Sequence, residues 1–251
     1  MSRAARCVQQ KELVYRNNQR QGGQSLTMKL ISFLGGQEDG GATSYTCGGS
    51  ACETRFVQEA ICRLLGTVDR AVLFATEGAR RTAWEPVSAA LSGCGVTPPE
   101  LVIIPPNGET EEELWTIFRA LETSIDVGEE IVFDITHGFR SLLLVGFLSA
   151  AFLQTTGKAE ISHVFYGQYR DDGQPSHLLD LTPFLSILDW TTSVHAFLRS
   201  MDAAGINRLA NRTAKEAYLS GRRMPRKNSP GLPGPWTGLR WRPGWHVRLM
   251  P

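Results

Sequence analysis

A short apolar run, Ile131 to Ile135, ends in a small polar loop that leads directly into a long apolar stretch of helical character. This order predicts a β-strand, a tight loop and an α-helix in immediate succession. In open α/β sheets, ligands bind in the crevice beyond the carboxyl ends of the strands. The run therefore favours an α/β fold and places a candidate ligand site at residues 136–141.

The loop carries two hydroxyls, an imidazole, a glycine and a guanidinium: Thr136, His137, Gly138, Arg140 and Ser141. Free N–H groups and the positive dipole end of a helix favour a negative charge, and Arg140 can present two donors to one phosphate. We interpret the backbone around Gly138 and the Arg140 side chain as a phosphate site. The other three side chains would hydrogen-bond ribose or phosphate. A structural interpretation stays open, in which Thr136 caps the helix and Arg140 pairs with a helix acid.

His137 also has two interpretations. Its imidazole titrates near physiological pH, which suits a general acid or base. Alternatively, it is a structural donor that holds the loop, because no nucleophile or second histidine lies at a spacing that connects to it. Asp134 is expected to accept hydrogen bonds from loop N–H groups. No metal-ligand spacing accompanies either residue, so we expect no metal and no cofactor.

Short apolar runs bounded by turn residues alternate with helical patterns, which is typical of βαβ units and a mainly parallel sheet. We predict strands near residues 29–34, 71–75, 101–104, 130–135 and 161–166, and helices over 53–65, 82–91, 110–125, 183–201 and 202–219. A further helix is predicted after His137, with the apolar run 142–153 as its main part. Thr110 and Glu113 form a capping-box pattern, and Asp202 is the expected cap of the last helix. The helix after His137 is apolar nearly all round, so it is expected to be covered on several sides.

Three further loops follow predicted strands. Gly35 to Gly41 follows the first, where nucleotide-binding folds place glycines so that the backbone can approach phosphate, although the loop lacks the G-x-G-x-x-G pattern. An ordinary surface loop is the alternative. Thr76 and Asn107 lie in turns after the next two strands, where they can line the crevice. Tyr166, at the end of the fifth predicted strand, offers either an aromatic face to a base or a packed core ring.

Charge is distributed unevenly along the 251 residues. Residues 28–210 carry 12 Lys/Arg and 23 Asp/Glu, a net of −11, whereas the two ends carry 14 and 2. An acidic body is a poor general binder of nucleic acid, so we expect no stable nucleic-acid partner and a pocket for any anionic ligand.

The five cysteines are scattered and include no C-x-x-C pair, which argues against a disulfide framework or a zinc site. The longest apolar run, Leu142 to Leu153, is shorter than the roughly 20 residues of a membrane span, and residues 1–27 lack the apolar segment of a secretory signal. We expect a cytoplasmic protein that does not enter membranes.

Five segments together resemble the CRISPR-associated Rossmann-fold (CARF) sensors of type III CRISPR systems. They are MKLISFLGG at residues 28–36, TRFVQEA at 54–60, EEELWTIF at 111–118, the loop from Asp134 to Ser141, and LDLTPFLSILDW at 179–190. The resemblance implies a Rossmann-like domain that binds cyclic oligoadenylate, with cyclic tetra-adenylate the expected ring. It also implies a homodimer in which a two-fold symmetric ligand meets the same loop twice. Gly35, Gly36, Ser44 and Tyr45 would form the ligand floor with the second loop.

The resemblance divides the chain into four parts. Residues 1–27 are expected to be a disordered or non-native extension, with Met28 as a candidate start. The sensing domain spans 28–182, and a helical appendage spans 183–219 as a truncated effector or dimerisation region. Trp190 and Phe197 of that appendage are expected to make core or dimer contacts. Residues 220–251 form a basic tail whose prolines prevent a continuous helix.

Four functions remain open on these grounds. The first is a sensor, and the second is a ring nuclease that degrades cyclic oligoadenylate with help from Arg140 and Ser141. The third is the ribonuclease that often accompanies such sensors, whose active site is an arginine followed four to six residues later by a histidine. Arg240 and His246 have that spacing, but Pro243 and Gly244 lie between them. The fourth, a metabolic nucleotide-binding protein, is disfavoured by the missing glycine motif.

Overall fold

The computed structural model describes residues 28–35, 41–47, 49–96, 98–168, 170, 174–201 and 203–219. The interpretations of the two terminal segments, of Gly36, of the Asp202 cap and of the Arg240 to His246 spacing lie outside the described residues. So does most of the glycine-rich loop after the first strand.

The described chain forms one mixed eight-stranded sheet flanked by helices. The strands are β1 (Met28–Phe33), β2 (Thr43–Cys47), β3 (Ser50–Thr54), β4 (Val68–Ala75), β5 (Glu100–Ile103), β6 (Glu129–Asp134), β7 (Ala159–Gln168) and β8 (Ser176–Asp180). Their spatial order is β3-β2-β8-β7-β6-β1-β4-β5. The prediction of a mainly parallel α/β sheet is confirmed, and all five predicted strands are present within a few residues.

Three strands were not predicted. β2 and β3 pair with each other in antiparallel fashion, and β8 pairs antiparallel with β7 and parallel with β2. They extend the parallel core, which is β7-β6-β1-β4-β5, on one side only. Their segments are short, and few of their residues are buried, so they lack the continuous apolar run of a buried parallel strand.

The strand order reverses beside β1. The chain continues from β1 to β4 on one side and returns later to place β6 on the other side, both parallel to β1. A crevice at the carboxyl ends of strands opens at such a switch point. The ends of β1 and β6, at Phe33 and Asp134, therefore define the expected place for a ligand.

Six helices are described: α1 (Val57–Leu65), α2 (Glu77–Gly93), α3 (Glu111–Thr123), α4 (Arg140–Thr156), α5 (Thr182–Ser200) and α6 (Ala204–Leu219). The predicted start of the first helix at Glu53 is wrong, because Glu53 and Thr54 belong to β3. The predicted start of the second at Thr82 is also wrong, since Thr76 already caps that helix through the Ala79 amide. The Thr110 cap of α3 is confirmed, with the Glu113 amide 3.2 Å from its hydroxyl oxygen.

Helices cover both faces of the parallel strands. One apolar cluster packs α1 and α2 against the sheet through residues such as Ile61 and Val87. A second cluster packs α3 and α4 against the opposite face through residues such as Leu121 and Leu153. In this three-layer arrangement the ends of β1 and β6 lie between two apolar cores.

The sequence predicts that α4 is covered on several sides, whereas the described chain itself covers only one side of this helix. Leu144, Leu148 and Phe152 are 61%, 50% and 44% exposed, whereas Leu142 and Leu153 on the other side are buried. α5 is also open, because only Leu185 of that helix is buried. Trp190 and Phe197, expected as core or dimer contacts, are half-buried. No helix in the described part of the chain is long and apolar enough to cross a membrane.

Candidate functional site

A buried carboxylate joins the ends of β1 and β6. Asp134 is completely buried, and its Oδ2 accepts a hydrogen bond of 2.7 Å from the Ser32 hydroxyl of β1. Its Oδ1 accepts a bond of 3.0 Å from the Thr136 amide and another from the Thr136 hydroxyl. The expectation that Asp134 accepts hydrogen bonds from the loop is confirmed.

Thr136 extends this network to β7. Its hydroxyl oxygen accepts a hydrogen bond of 2.7 Å from the Gly167 amide. A Cβ at residue 167 would lie 3.1 Å from the Thr136 hydroxyl oxygen and 2.9 Å from a methyl of Val57, so only glycine allows this approach. The interpretation of Thr136 as a helix cap is wrong, because the N-cap of α4 is Phe139, which makes no side-chain cap bond. Thr136 instead fastens the loop to the neighbouring strand.

Burial raises the pKa of the Asp134 carboxyl. The charge of His137 and the hydrogen bonds from Thr136 and Ser32 act in the opposite direction without outweighing it. The Cys62 thiol of α1 is also close enough to interact, and burial raises its own pKa strongly. An ionised Asp134 therefore depends on its donors, since a buried charge without hydrogen bonds is costly.

The loops after β1 and β6 meet at His137. A Cβ at Gly35 would lie 3.3 Å from Nδ1 of His137, so the backbone after β1 approaches the imidazole closely. Gly138 has φ +117°, and a side chain there would also strike Leu142. Gly138 is exposed and has no side chain, so no side chain of this residue covers the backbone amides around it.

A third loop, after β5, packs on the same site. Gly108 lies directly against the ring of Phe139, where an added Cβ would come within 2.1 Å. The Ser141 hydroxyl donates a hydrogen bond of 3.2 Å to the Gly108 carbonyl. Ser141 therefore anchors this loop, which carries the exposed Asn107, to the start of α4.

Arg140 is the first residue of α4 and is exposed. Within the described residues its guanidinium makes no hydrogen bond or ion pair, so the interpretation that it pairs with a helix acid is wrong. A cation without a partner, at the positive end of a helix dipole and at the switch point of the sheet, suits an anionic ligand.

Comparison with known proteins gives a relative by sequence. The CRISPR-associated protein MJ1674 of Methanocaldococcus jannaschii is 26% identical over 114 residues, which are 43% of this chain and 18% of that protein. The chain is thus similar in sequence to part of a CRISPR-associated protein. With the Rossmann-like sheet, this finding confirms the resemblance drawn from the sequence. The match spans about a fifth of the relative's length, so the relative's whole activity is not carried over.

Comparisons with family models and with solved structures add two findings. No family model matches the chain. The structure of Enterococcus italicus Csm6 bound to cyclic hexa-2′-fluoro-hexa-dAMP matches with a TM-score of 0.47 and 11% identity, over 78% of this chain and 53% of that one. A match of this degree is too weak for the ligand of that structure to be assigned to this chain.

The remaining residues that the sequence places at the site lie on other elements, where the structure gives them contacts of their own. Thr76 caps α2. Ser44 and Tyr45 lie within β2, and Tyr45 is buried in the first apolar cluster. Tyr166 is half-buried and packs against the second cluster. No group of three or more potential metal ligands occurs among the described residues.

Sequence reasoning missed two polar residues behind the crevice, Ser32 and Gln58. Both are fully buried, at 0% exposure. The signal available was a single hydroxyl inside the apolar run of β1 and a single amide in the first turn of the apolar α1. Neither pattern indicates a partner, because the contact joins residues far apart in the chain.

Proposed function

We propose that this chain is a CRISPR-associated sensor of cyclic oligoadenylate, with cyclic tetra-adenylate as its preferred ring. The observation that carries the proposal is the exposed Arg140 at the amino end of α4, unpaired within the described residues and placed just beyond the carboxyl ends of the neighbouring parallel strands β1 and β6, where the strand order reverses. The relative supports the CRISPR association, and the resemblance of the Asp134 to Ser141 loop supplies the ligand.

The ligand phosphate would lie over the start of α4. Arg140 would provide a bidentate charge-assisted contact, and the amides around Gly138 would add backbone donors. His137, half-buried against Gly35, would contact ribose or phosphate from the floor of the crevice. The buried network beneath Thr136 keeps these donors in place before the ligand arrives, which lowers the entropy cost of binding.

A symmetric dimer would complete the site. Arg140, Leu144, Leu148 and Phe152 recur at intervals of four residues, so they form an exposed stripe along α4. A second copy packed on the apolar part of this stripe, with its α4 parallel to the first, would bring its own Arg140 beside the first. An isologous contact of this kind suits a two-fold symmetric ring.

The test is calorimetry with cyclic tetra-adenylate on the Arg140→Ala variant. We expect each subunit to lose one charge-assisted contact, which is about 1.5–3 kcal/mol per contact. Arg119→Ala is the matched control, because Arg119 is an exposed arginine in the middle of α3. It should bind as the unmodified protein does.

Unchanged affinity in Arg140→Ala, with the fold intact by circular dichroism, would remove Arg140 from the site. Failure of the unmodified protein to bind cyclic tri-, tetra- or hexa-adenylate would overturn the proposed function. Chromatography of the ligand after incubation reports ring cleavage in the same samples.

A further inference from the structure

A line of buried polar groups lies behind the crevice. The Gln58 amide nitrogen of α1 donates to the Ser32 hydroxyl oxygen at 3.1 Å. It also lies 3.4 Å from the carbonyl oxygen of Phe33, the last residue of β1. The Ser32 hydroxyl in turn donates to Asp134. The line therefore runs from a helix, through β1, to the carboxylate that holds the β6 loop.

A buried polar side chain at this position destabilises the apolar core around it. Gln58 is fully buried beside Val57 and Ile61 of the first apolar cluster. Its Oε1 has no hydrogen-bond partner among the described residues, and an unsatisfied buried acceptor destabilises a fold. An apolar side chain of similar volume would fill the position without that penalty. The hydrogen bonds of the Gln58 side chain, by contrast, go to Ser32 and Phe33, at the carboxyl end of β1 beneath the site.

We propose that Gln58 and Ser32 are positioning residues for the ligand loop, which hold the Asp134 carboxylate in the orientation that binds Thr136. This inference rests on the proposed function and names two residues that act on the same site from behind. Neither touches the ligand, because both are completely buried. They act by keeping residues 135–139 in the conformation that presents the amides around Gly138.

The charge state of Asp134 makes the role measurable. An ionised carboxylate accepts from the Ser32 hydroxyl and from the Thr136 amide and hydroxyl together, whereas a protonated carboxyl must donate and gives up one acceptor contact. The titratable groups facing it are His137 from the loop and the Cys62 thiol from α1. Loss of the Ser32 hydroxyl removes a donor to the ionised form, so that form persists only at higher pH.

The experiment compares Ser32→Ala and Gln58→Leu with Ser149→Ala. Ser149 is a buried hydroxyl of α4 with no hydrogen-bond partner among the described residues, so the control removes a similar group without touching the network. Cyclic tetra-adenylate affinity is measured from about pH 5 to pH 8, together with hydrogen exchange of the Thr136 and Gly167 amides. Thermal melts verify folding.

We expect Ser32→Ala to bind about fivefold more weakly near neutral pH, the effect of one lost hydrogen bond. As the pH is lowered, the affinity of Ser32→Ala for the ring should begin to fall at a higher pH than the affinity of the unmodified protein does. The amides of Thr136 and Gly167 should exchange faster in this variant. Gln58→Leu should change the affinity and the amide exchange in the same direction, because it removes the donor to the Ser32 hydroxyl oxygen. If Ser32→Ala does not fold, the Gln58→Leu result decides.

An affinity loss that is the same at every pH, with unchanged amide exchange, would overturn the inference and leave these residues as ordinary core. If the unmodified protein binds none of the rings, the proposed function fails separately. Amide exchange then decides the inference alone. Faster exchange in Ser32→Ala and not in Ser149→Ala supports it, and equal exchange in both overturns it.

Discussion

Two glycines with left-handed backbones, Gly108 and Gly157, differ in what surrounds them. Gly108 has φ +61° and lies against the Phe139 ring, whereas Gly157 has φ +71° and open space around it. Alanine at either position strains the backbone by roughly 1–2 kcal/mol. Gly108→Ala must also displace Phe139, so we expect it to be more destabilising by about 1–3 kcal/mol, as for overpacked cores.

Urea denaturation of the two variants measures this difference directly. Gly157→Ala is the control for backbone strain alone. Because Phe139 immediately precedes Arg140, we also expect Gly108→Ala to weaken ligand binding while Gly157→Ala does not. Equal losses of stability in the two variants would show that the contact between Gly108 and Phe139 contributes nothing.

The residues of the proposed ligand loop stand out in the sequence because they are contiguous and chemically unusual for a strand end, and their contact with a ligand stays a prediction. Their roles were less predictable. Thr136 was assigned either to a ligand or to a helix cap, but it joins Asp134 to Gly167, a residue 31 positions away. Ser32 lies 102 positions from Asp134. Such pairings depend on the order of strands in the sheet, which local patterns do not encode.

At the scale of elements, the amino ends of β1 and β6 are joined by a buried ion pair. Lys29 Nζ lies 2.6 Å from Glu129, and Arg70 of β4 lies 2.8 Å from the other carboxylate oxygen. Burial alone would raise the pKa of Glu129. The hydrogen bonds from Lys29 and the Asp126 amide, with the charges of Lys29 and Arg70, outweigh burial, so the pKa lies below its ordinary value.

We expect Glu129→Gln to destabilise the protein at neutral pH by on the order of 3 kcal/mol, because it leaves Lys29 buried without its partner charge. A carboxyl with a lowered pKa contributes stability above its unfolded value, near 4.5, and loses it as pH falls through the folded pKa. The difference between the unmodified protein and the variant should therefore shrink in acid.

Urea denaturation at neutral and acidic pH tests this expectation. Glu77→Gln is the control, since it removes an exposed i,i+3 pair with Arg80 and should cost no more than about 0.5 kcal/mol. A difference that stays constant as the pH falls would contradict the role assigned to Glu129.

Secondary structure was predictable where an element carries its own pattern. The buried parallel strands and the capped α3 lie close to their expected positions, because continuous apolar runs and a cap are local signals. β2, β3 and β8 are stabilised mainly by pairing at one side of the sheet. The exposed stripe of α4 was missed for another reason: an apolar helix in sequence looks the same whether a core or a partner covers it.

At the scale of the whole molecule, we expect no intrinsic ribonuclease activity. Arg240 and His246 lie outside the described residues, and the expectation rests on Pro243 and Gly244, which interrupt a helix between them. A fluorescent single-stranded RNA reporter should stay intact with cyclic tetra-adenylate present, and His246→Ala should change nothing. Cleavage that requires the ligand and disappears in His246→Ala would contradict this expectation.

The open apolar surface gives the assembly its own test. Leu148→Glu places a carboxylate in the middle of the exposed stripe of α4. In an isologous dimer each contact occurs twice, so the change removes two leucine contacts of roughly 1.5–3 kcal/mol each and buries two charges. We expect light scattering at micromolar concentration to give a dimer for the unmodified protein and a monomer for the variant.

Val127→Glu is the matched control, because Val127 is 82% exposed in the turn before β6, at the amino end of the strand and so at the opposite end from the site. It should remain dimeric and bind the ring normally. Since one ring would contact Arg140 of both subunits, the Leu148→Glu monomer should bind cyclic tetra-adenylate more weakly although its own loop is intact. If the unmodified protein is itself a monomer and binds cyclic tetra-adenylate as tightly as Leu148→Glu does, a single loop is enough to bind the ring. The apolar stripe of α4 would then be covered by a different partner.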